Sequence, residues 1–244
     1  MANLLVEIGN TALKACWSDG MTLGKTFRFQ GEKAMDFILS LTAKEKPYVM
    51  VVCSVYGISP QEEAVLSKES TFLEILDGSK KETLREHGLP EYLSYDRAAS
   101  ILAARYLFRG KGCTVFDFGT TMTVDFTDEK GNYLGGNISL GCRTRFKALN
   151  RYSKSLPLVN TPEDVQGLGN SLQTSMESGV VSGIMFEITG YSSVRPDNIV
   201  VFTGGDANYF AKQMKNSIFV VCNLVLMGLA LLAEEYEKKV GEDS

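Results

Sequence analysis

The chain has 244 residues, 44% of them hydrophobic and 22% charged, a composition typical of a globular protein that excludes a disordered or collagen-like chain. Its length fits one large domain or two domains of ordinary size. With 25 Lys and Arg residues against 29 Asp and Glu, the formal net charge is −4. No broadly basic surface is therefore available, and we expect no nucleic-acid partner.

Strands and helices alternate along the first half of the chain. Short β-rich runs predict strands at residues 4–6, 13–17, 48–53 and 72–76. Apolar residues at helical spacing predict helices at 32–45 and 96–108. Ser59 and Pro60 are typical of an N-cap and a first helical position, so a further helix begins there. The unbroken apolar run at 48–53 is typical of a strand buried on both faces of a parallel sheet.

The second half continues the alternation, which predicts an α/β protein. Strands are predicted at 113–118, 122–126, 133–138, 199–202 and 218–222, and helices at 143–150, 171–190, 206–214 and from Asn223 onwards. The apolar stretch 218–233 is interrupted by Asn223 and Gly228 and is shorter than the roughly 20 residues of a membrane span. It predicts a buried strand followed by a buried helix.

The sequence predicts a cytoplasmic protein without a membrane partner. The N-terminus has no basic region and reaches an acid at Glu7, unlike a signal peptide. The five cysteines form no C-x-x-C pair, so neither a zinc ribbon nor a disulfide framework is expected and a reduced compartment is favoured. The single histidine, His87, lies in a sequence typical of a surface loop, and a site of several histidines is excluded.

The most informative feature is an internal repeat. Residues 4–11 read LLVEIGNT and residues 114–121 read TVFDFGTT. Each is an apolar strand followed by an acid, an apolar residue, a glycine, a small polar residue and a threonine. Glu7 and Asp117 thus occupy matching places about half a chain apart. The repeat predicts two related lobes, 1–112 and 113–244, whose acidic turns face one cleft and hold a triphosphate.

The turn chemistry suits nucleotide phosphates. An acid at a strand end can hold a cation that offsets phosphate charge, glycine lets the backbone approach, and the polar pair supplies donors. One such turn is also an ordinary hairpin turn, whereas two copies favour a phosphate site. Neither a P-loop nor a G-x-G-x-x-G fingerprint is present. Gly204 and Gly205 form a third turn that opens a helix, where backbone amides could meet a nucleotide. That turn and a fourth at 135–138 are, taken alone, typical of tight turns.

In their order these turns resemble the two phosphate motifs and the adenosine motif of the actin-like ATPase superfamily. The segments between them resemble type III pantothenate kinase, whose members carry D-x-G-N-T, G-x-D-R, D-x-G-T-A-x-T-x-D, G-G-x-I-x-P-G and T-G-G-D-A. This chain reads EIGNT at 7–11, SYDR at 94–97, DFGTTMTVD at 117–125, GGNISLG at 135–141 and TGGDA at 203–207. The ordered set covers nearly the whole chain.

The resemblance implies a duplicated actin-like ATPase (ribonuclease H-like) fold, with two lobes around a nucleotide cleft. It implies ATP-dependent phosphorylation of pantothenate, the first step of coenzyme A biosynthesis. It also implies Mg²⁺ with the ATP, a monovalent cation (K⁺ or NH₄⁺), and a homodimer whose interface helps to build the pantothenate pocket.

Site residues follow from the resemblance residue by residue. Asp96 matches the base that accepts the proton of the attacking hydroxyl, although this acid is also typical of a helix N-cap. Asp117 matches the ligand of the monovalent cation. The substrate-binding set is Ser94, Tyr95, Asp96, Arg97 and Leu172. The ATP-binding set is Glu7, Ile8, Gly9, Asn10, Thr11, Ala12, Leu13, Lys14, Thr120, Gly204 and Gly205. Apart from the resemblance, Lys14 is either a phosphate partner or a solvated strand residue.

Four residues depart from the family pattern. Glu7 replaces an aspartate and reaches one methylene further, and Leu140 replaces a proline. Ser94 replaces a glycine, and serine is strained there if the backbone φ is positive. Leu172 stands where the family places a threonine that contacts pantothenate, and leucine cannot donate that hydrogen bond. Two alternatives therefore stay open: an impaired relative that binds nucleotide or pantothenate as a regulator, and a kinase of another small alcohol.

Overall fold

The computed structural model describes residues 2–165, 167–214 and 217–242. Two compact units are present: residues 1–107 together with 223–244, and residues 108–222. Each unit contains one mixed β-sheet flanked by helices. Among the described helices, none has both the length and the apolar character needed to cross a membrane.

Residues 2–107, as described, contain ten helices and strands. The strands are β1 (Asn3–Ile8), β2 (Leu13–Asp19), β3 (Thr22–Leu23), β4 (Phe27–Phe29), β5 (Val49–Ser54) and β6 (Phe72–Leu76), and the helices are α1 (Ala34–Thr42), α2 (Pro60–Lys68), α3 (Glu82–Glu86) and α4 (Tyr95–Leu107). All strands and helices predicted for this part are confirmed, whereas β3, β4 and α3 are short elements that the sequence pattern missed. The predicted cap of α2 is a capping box between Ser59 and Glu62.

The described residues after 107 contain nine further helices and strands. The strands are β7 (Cys113–Phe118), β8 (Thr121–Thr127), β9 (Tyr133–Leu140), β10 (Ile199–Gly204) and β11 (Phe219–Val220), and the helices are α5 (Cys142–Tyr152), α6 (Leu172–Val194), α7 (Ala207–Gln213) and α8 (Leu224–Glu242). The strand predicted at 218–222 is reduced to two residues, and Phe219 is 50% exposed. The expectation of a buried strand is wrong there because β11 is an edge strand paired on one side only.

The sheet of the first unit has the order β3-β2-β1-β5-β6. β1 pairs antiparallel with β2 and parallel with β5, and β5 pairs parallel with β6. Every residue of β5 is buried, which confirms the strand predicted to be covered on both faces. One face packs Leu4 and Val6 of β1 against Ile38 of α1 and Leu66 of α2. α4 and α8 also pack on this sheet and on each other.

The C-terminal helix belongs to the first unit. A Cβ at Gly228 of α8 would lie 2.0 Å from the carbonyl oxygen of Ala99, so α8 and α4 approach closely where the glycine leaves room. Asn3 Nδ2 of β1 donates to Glu237 of α8 over 3.1 Å. The predicted division into 1–112 and 113–244 differs from this grouping, because it placed residues 223–244 with the second half.

His87 illustrates the same packing. The sequence predicts a surface loop, but the residue is the C-cap of α3 and its ring is half-buried. Its Nε2 lies 3.0 Å from Oε2 of Glu235 on α8. The histidine therefore faces the C-terminal helix rather than open solvent.

The sheet of the second unit repeats the topology of the first. Its order is β11-β10-β7-β8-β9, with antiparallel pairing on the β8 side of β7 and parallel pairing on the β10 side. The core contains the stacked and edge-to-face rings of Phe116, Phe118, Phe202 and Phe210. Because both sheets place the first strand of their unit in the centre with the same neighbours, the internal repeat corresponds to a duplicated α/β fold.

Candidate active site

The first acidic turn joins β1 to β2. Gly9 N donates to the carbonyl oxygen of Ala12 over 3.1 Å, and the carbonyl oxygen of Ile8 accepts from Val55 N at the same distance. A Cβ at Gly9 would lie 3.3 Å from the Ala12 oxygen, so the residue is held in a close approach. The turn 9–12 is therefore fixed both internally and against the chain that follows β5.

Glu7 and Lys14 are cross-strand partners just below this turn. Lys14 Nζ lies 3.1 Å from Oε2 and 3.3 Å from Oε1 of Glu7. Burial raises the pKa of the Glu7 carboxyl, the charge and hydrogen bond of Lys14 lower it, and the charge of Asp96 raises it; the net direction is upward. Lys14 is thus an ion-pair partner inside the unit and not only a solvated strand residue.

Cys53 and Asp96 lie near the same carboxylate. Cys53 on β5 is directly opposite Glu7 in the parallel pair. Burial raises the pKa of its thiol well above the ordinary value, and the charges of Asp96 and Glu7 add to that rise. α4 packs on β5, so its first turn brings Asp96 near the strands that bear Cys53 and Glu7.

Asp96 lies inside the first turn of α4, because the helix begins at Tyr95. The N-cap interpretation is therefore wrong. Its Oδ1 accepts from Arg97 N over 2.8 Å. Arg97 and Tyr95 are buried, whereas Ser94 is exposed. Ser94 has a negative φ, so the strain considered for serine at this position is absent.

The second acidic turn, at 119–120, follows β7 in the other unit. Asp117 is directly opposite Thr203 of β10, and Phe118 is opposite Gly204. Gly204 has a φ of +89°, and a Cβ there would lie 2.4 Å from Oδ1 of Asp117 and 2.6 Å from both N and O of Phe118. Only glycine fits this position, and it brings the Asp117 carboxylate and the Phe118 carbonyl oxygen side by side.

Gly205 and Asp206 continue from Gly204 into α7. Gly205 is exposed, and Asp206 N donates to the carbonyl oxygen of Phe118 over 3.3 Å. Burial raises the pKa of the Asp206 carboxyl, while the charge of Arg143 on α5 lowers it. The third glycine turn therefore packs directly on the second acidic turn.

Thr120 is held by the start of α5. Its carbonyl oxygen accepts from Gly141 N over 3.0 Å and from Thr144 Oγ1 over 2.7 Å. A Cβ at Gly141 would lie 2.0 Å from the carbonyl oxygen of Gly119, which explains why this position is glycine. The backbone of the turn is fixed, while the Thr120 residue is exposed.

A cavity of about 290 Å³ lies beside the first acidic turn, within the first unit. Its lining includes the turn residues Asn10 and Thr11, the post-β5 residues Tyr56 and Ile58, and Met35 of α1. Ile8 and Leu13 also line it, and they pack with the α1 and α2 core. These two predicted site residues therefore face the cavity side and support the turn from below.

The described residues include oxygen atoms that could bind a cation, but these do not form a complete set of metal ligands. Within residues 2–165, 167–214 and 217–242, no group of three or more His, Cys, Asp or Glu side chains is placed to hold a metal ion. Mg²⁺ delivered with ATP needs only one or two carboxylates because phosphates and water supply the rest, and Glu7 fits that role. The Asp117 carboxylate and the Phe118 carbonyl oxygen both lie close to Gly204, and oxygens of these kinds are ligands that a monovalent cation accepts.

Comparison with known proteins identifies the family. The family model described as type III pantothenate kinase matches residues 3–193. The type III pantothenate kinase of Bacteroides fragilis is 34% identical over 232 residues, which cover 93% of this chain and 95% of the relative. The chain belongs to the type III pantothenate kinase family.

Solved structures agree with the fold of a type III pantothenate kinase family member. The activator of the 2-hydroxyisocaproyl-CoA dehydratase from Clostridium difficile has a TM-score of 0.57 and 15% identity, covering 100% of this chain and 98% of that one. MreB5 of Spiroplasma citri has a TM-score of 0.53 and 11% identity, covering 98% of each chain. At such identities the likeness concerns the fold alone, which is the predicted actin-like fold.

Two of the residues of this chain that depart from the type III pantothenate kinase pattern, Leu172 and Leu140, are apolar and exposed. Leu172 is the first residue of α6 and is 55% exposed. It lies between the hydroxyls of Ser171 and Thr174, which cap the helix by hydrogen-bonding each other's backbone N–H groups. Leu140 ends β9, and its carbonyl oxygen accepts from Arg145 Nε over 2.8 Å.

Sequence reasoning missed three residues around the predicted set. Tyr56 OH donates to Oδ1 of Asn10 over 2.9 Å, Arg143 faces Asp206, and Asp77 binds two loops of the first unit. Of these, only Asp77 has a local signal, because it is an acid at a predicted strand end followed by Gly78 and Ser79.

Proposed function

We propose that this chain transfers the γ-phosphoryl group of ATP to pantothenate, giving 4′-phosphopantothenate in the first step of coenzyme A biosynthesis. One observation carries the proposal: in a member of this family, Glu7 lies beside the glycine turn of β1 and β2, and Asp96 lies in the first turn of α4, which packs on β5 next to β1. A candidate base and a candidate phosphate site thus belong to one folded unit.

In the proposed reaction, Asp96 accepts the proton of the primary hydroxyl of pantothenate. The hydroxyl oxygen forms a bond to the γ-phosphorus, the bond from that phosphorus to the β–γ bridging oxygen breaks, and ADP leaves with the electron pair. Phosphoryl transfer depends mainly on positioning and on charge stabilisation, to which a general base adds about 10²–10⁴-fold.

The ATP-binding set consists of residues 7–14 with Thr120, Gly204 and Gly205. Lys14 lies on β2 just after the turn and exchanges part of its interaction with Glu7 for phosphate oxygens. Mg²⁺, when bound, neutralises phosphate charge, and Glu7 holds it directly or through water. Asp117, with the Phe118 carbonyl oxygen, would hold the monovalent cation, whose charge would offset that of the phosphates.

The acceptor-binding set is Ser94, Tyr95, Asp96, Arg97 and Leu172. A homodimer is part of the proposal, because several large apolar side chains of residues 138–194 are exposed, including Ile138, Tyr152 and Phe186. Light scattering tests this, and Phe186→Asp is expected to weaken the dimer. The five cysteines are free thiols, which supports a cytoplasmic location.

The decisive experiment measures ADP release by the purified chain with ATP, Mg²⁺ and K⁺, with and without pantothenate. Pantothenate-dependent release is expected, together with stoichiometric phosphopantothenate detected by mass spectrometry. ADP release that is indifferent to pantothenate, or none at all, rejects the proposal.

The exposed Leu172 favours a second candidate, a kinase of another small alcohol. An apolar side chain at this position would favour an acceptor that carries an apolar group where pantothenate offers a hydrogen-bonding group. A panel of pantothenate analogues distinguishes the candidates by their kcat/KM values. Binding of nucleotide or pantothenate without turnover, measured by calorimetry, would instead favour the regulatory relative.

A further inference from the structure

Asp77 is a buried carboxylate outside every motif of the family resemblance. It follows β6, is 5% exposed, and accepts hydrogen bonds from Ile58 N over 3.0 Å and from Ser79 N over 2.9 Å. Ser79 Oγ donates to the same carboxylate. A buried charge is tolerated where donors surround it, so these bonds hold Asp77 ionised and join two loops.

The first loop, residues 55–58, contacts the first acidic turn. Ile58 at its end is bound by Asp77, and Val55 at its start donates to the Ile8 carbonyl oxygen. In the middle of the loop, Tyr56 OH donates to Oδ1 of Asn10 over 2.9 Å. Because Oδ1 accepts from Tyr56, this hydrogen bond fixes the orientation of the Asn10 side chain at the turn.

The second loop, residues 78–81, leads to the proposed base. Its Lys80 carbonyl oxygen accepts from Tyr95 OH over 2.7 Å. Tyr95 is 3% exposed and immediately precedes Asp96 in the first turn of α4. The hydroxyl therefore ties the start of this helix to the loop that Asp77 organises.

We propose that Asp77 is a positioning residue. It fixes the first acidic turn, residues 9–12, and the first turn of α4, which carries Asp96, relative to one another. It acts through Tyr56 and Asn10 on one side and through Lys80 and Tyr95 on the other, and it contacts no substrate. The catalytic consequence rests on the proposed function. A displacement of about 1 Å at a reacting group costs on the order of 10²-fold in rate, so such a brace has a measurable effect.

Three variants test the Tyr56–Asn10 side and the Lys80–Tyr95 side of this arrangement separately. Tyr56→Phe removes one hydroxyl and is expected to raise the KM for ATP about 3- to 10-fold with little change in kcat, the factor that one hydrogen bond supplies. Tyr95→Phe is expected to lower kcat by a similar factor and to leave the KM for ATP unchanged. Asp77→Asn, which places amide hydrogens against backbone donors, is expected to produce both effects.

Matched controls use the same substitutions elsewhere in the unit. Tyr92→Phe and Asp36→Asn change exposed residues and are expected to leave both constants within about twofold of wild type. Hydrogen exchange without substrate follows the amides of Ile58 and Ser79, which Asp77→Asn is expected to deprotect. The two Tyr→Phe variants test both sides even if Asp77→Asn does not fold.

Different results would overturn the role of Asp77 and the proposed function. Unchanged kinetic constants in a folded Asp77→Asn protein, or equal effects of Tyr56→Phe and Tyr95→Phe on both constants, overturn the brace. Wild-type chain that binds ATP but lacks pantothenate-dependent turnover overturns the proposed function instead. In that case calorimetry decides the brace, which requires weaker ATP binding in Tyr56→Phe and Asp77→Asn but not in Tyr92→Phe.

Discussion

Glu7 and Lys14 form an ion pair across β1 and β2, with Nζ 3.1 Å from Oε2 and 3.3 Å from Oε1. The two residues are direct partners in the antiparallel ladder, so their side chains share one face. The Glu7 carboxylate is largely buried, the charge of Asp96 adds to the rise of its pKa, and Lys14 offsets negative charge here. A triphosphate approaching the turn adds negative charge, so Lys14 then has more negative charge to offset.

Lys14→Met is therefore expected to raise the KM for ATP about 10-fold or more, because a charged hydrogen bond is lost and Glu7 remains. Steady-state kinetics with varied ATP measures this effect. Lys14→Arg retains the charge and should be less impaired, and Lys44→Met serves as the exposed control. Equal KM values in Lys14→Met and wild type contradict the role.

Asp96→Asn is expected to lower kcat by about 10²-fold or more, because the amide cannot accept the hydroxyl proton. ATP affinity, measured by calorimetry, should stay within about threefold of wild type, since a conservative substitution keeps the shape of the residue. Asp36→Asn, at an exposed position of α1, is the matched control. A folded Asp96→Asn protein with unchanged turnover would remove Asp96 from catalysis.

Gly204→Ala is expected to destabilise the protein by about 2–4 kcal/mol, because the φ is positive and the added methyl overlaps Asp117 and Phe118. Gly205→Ala is the matched control: its Cβ would be 3.9 Å from the nearest atom, the Phe118 carbonyl oxygen. It should change the free energy of unfolding by about 0.5 kcal/mol or less. Urea unfolding compares the two, and similar losses would contradict the steric argument.

Asp77→Asn is expected to change the pH dependence of stability. Burial opposes ionisation of Asp77, but the hydrogen bonds from Ser79 and Ile58 outweigh it and lower the pKa below the ordinary 3.8. The unfolded chain then binds more protons near and below that pH, so the carboxylate contributes stability above it that is lost as the pH falls through the folded pKa.

The variant should therefore be less stable than wild type at pH 7, by about 1–3 kcal/mol. The difference should shrink as the pH falls below 3.8. Denaturant unfolding between neutral and acidic pH measures it. A difference that stays constant over the whole range would show that Asp77 stabilises the fold by packing and not by its charge.

Leu172→Thr is expected to lower the KM for pantothenate about 3- to 10-fold by introducing a hydroxyl where the family resemblance implies a threonine. Its side chain is 55% exposed, so the free energy of unfolding should change little. Leu168→Thr, at an 88% exposed position, is the control. If the KM for pantothenate is unchanged while that for an analogue changes, the acceptor is a different alcohol.

Much of the fold follows from local pattern. The apolar run at 48–53 predicted β5, Ser59 and Pro60 predicted the start of α2, and the repeat around Glu7 and Asp117 predicted two related lobes. The structure shows that the two sheets have matching topology. Each of these features depends on residues close together in the chain. The two-residue β11 was less predictable, because the exposure of Phe219 depends on its position at the sheet edge.

The sequence by itself determined the order of all elements except the short β3, β4 and α3, together with the duplication and the family, because spacing and motif order are properties of the chain alone. Only the tertiary structure decided that α8 packs with the first unit and that Glu7, Lys14 and Cys53 lie on adjacent strands. It also decided that Asp77 reaches Ile58 while Tyr56 reaches Asn10. Those contacts join residues far apart in sequence, and their energies come from burial and hydrogen bonding that exist only once the sheet and its loops are assembled.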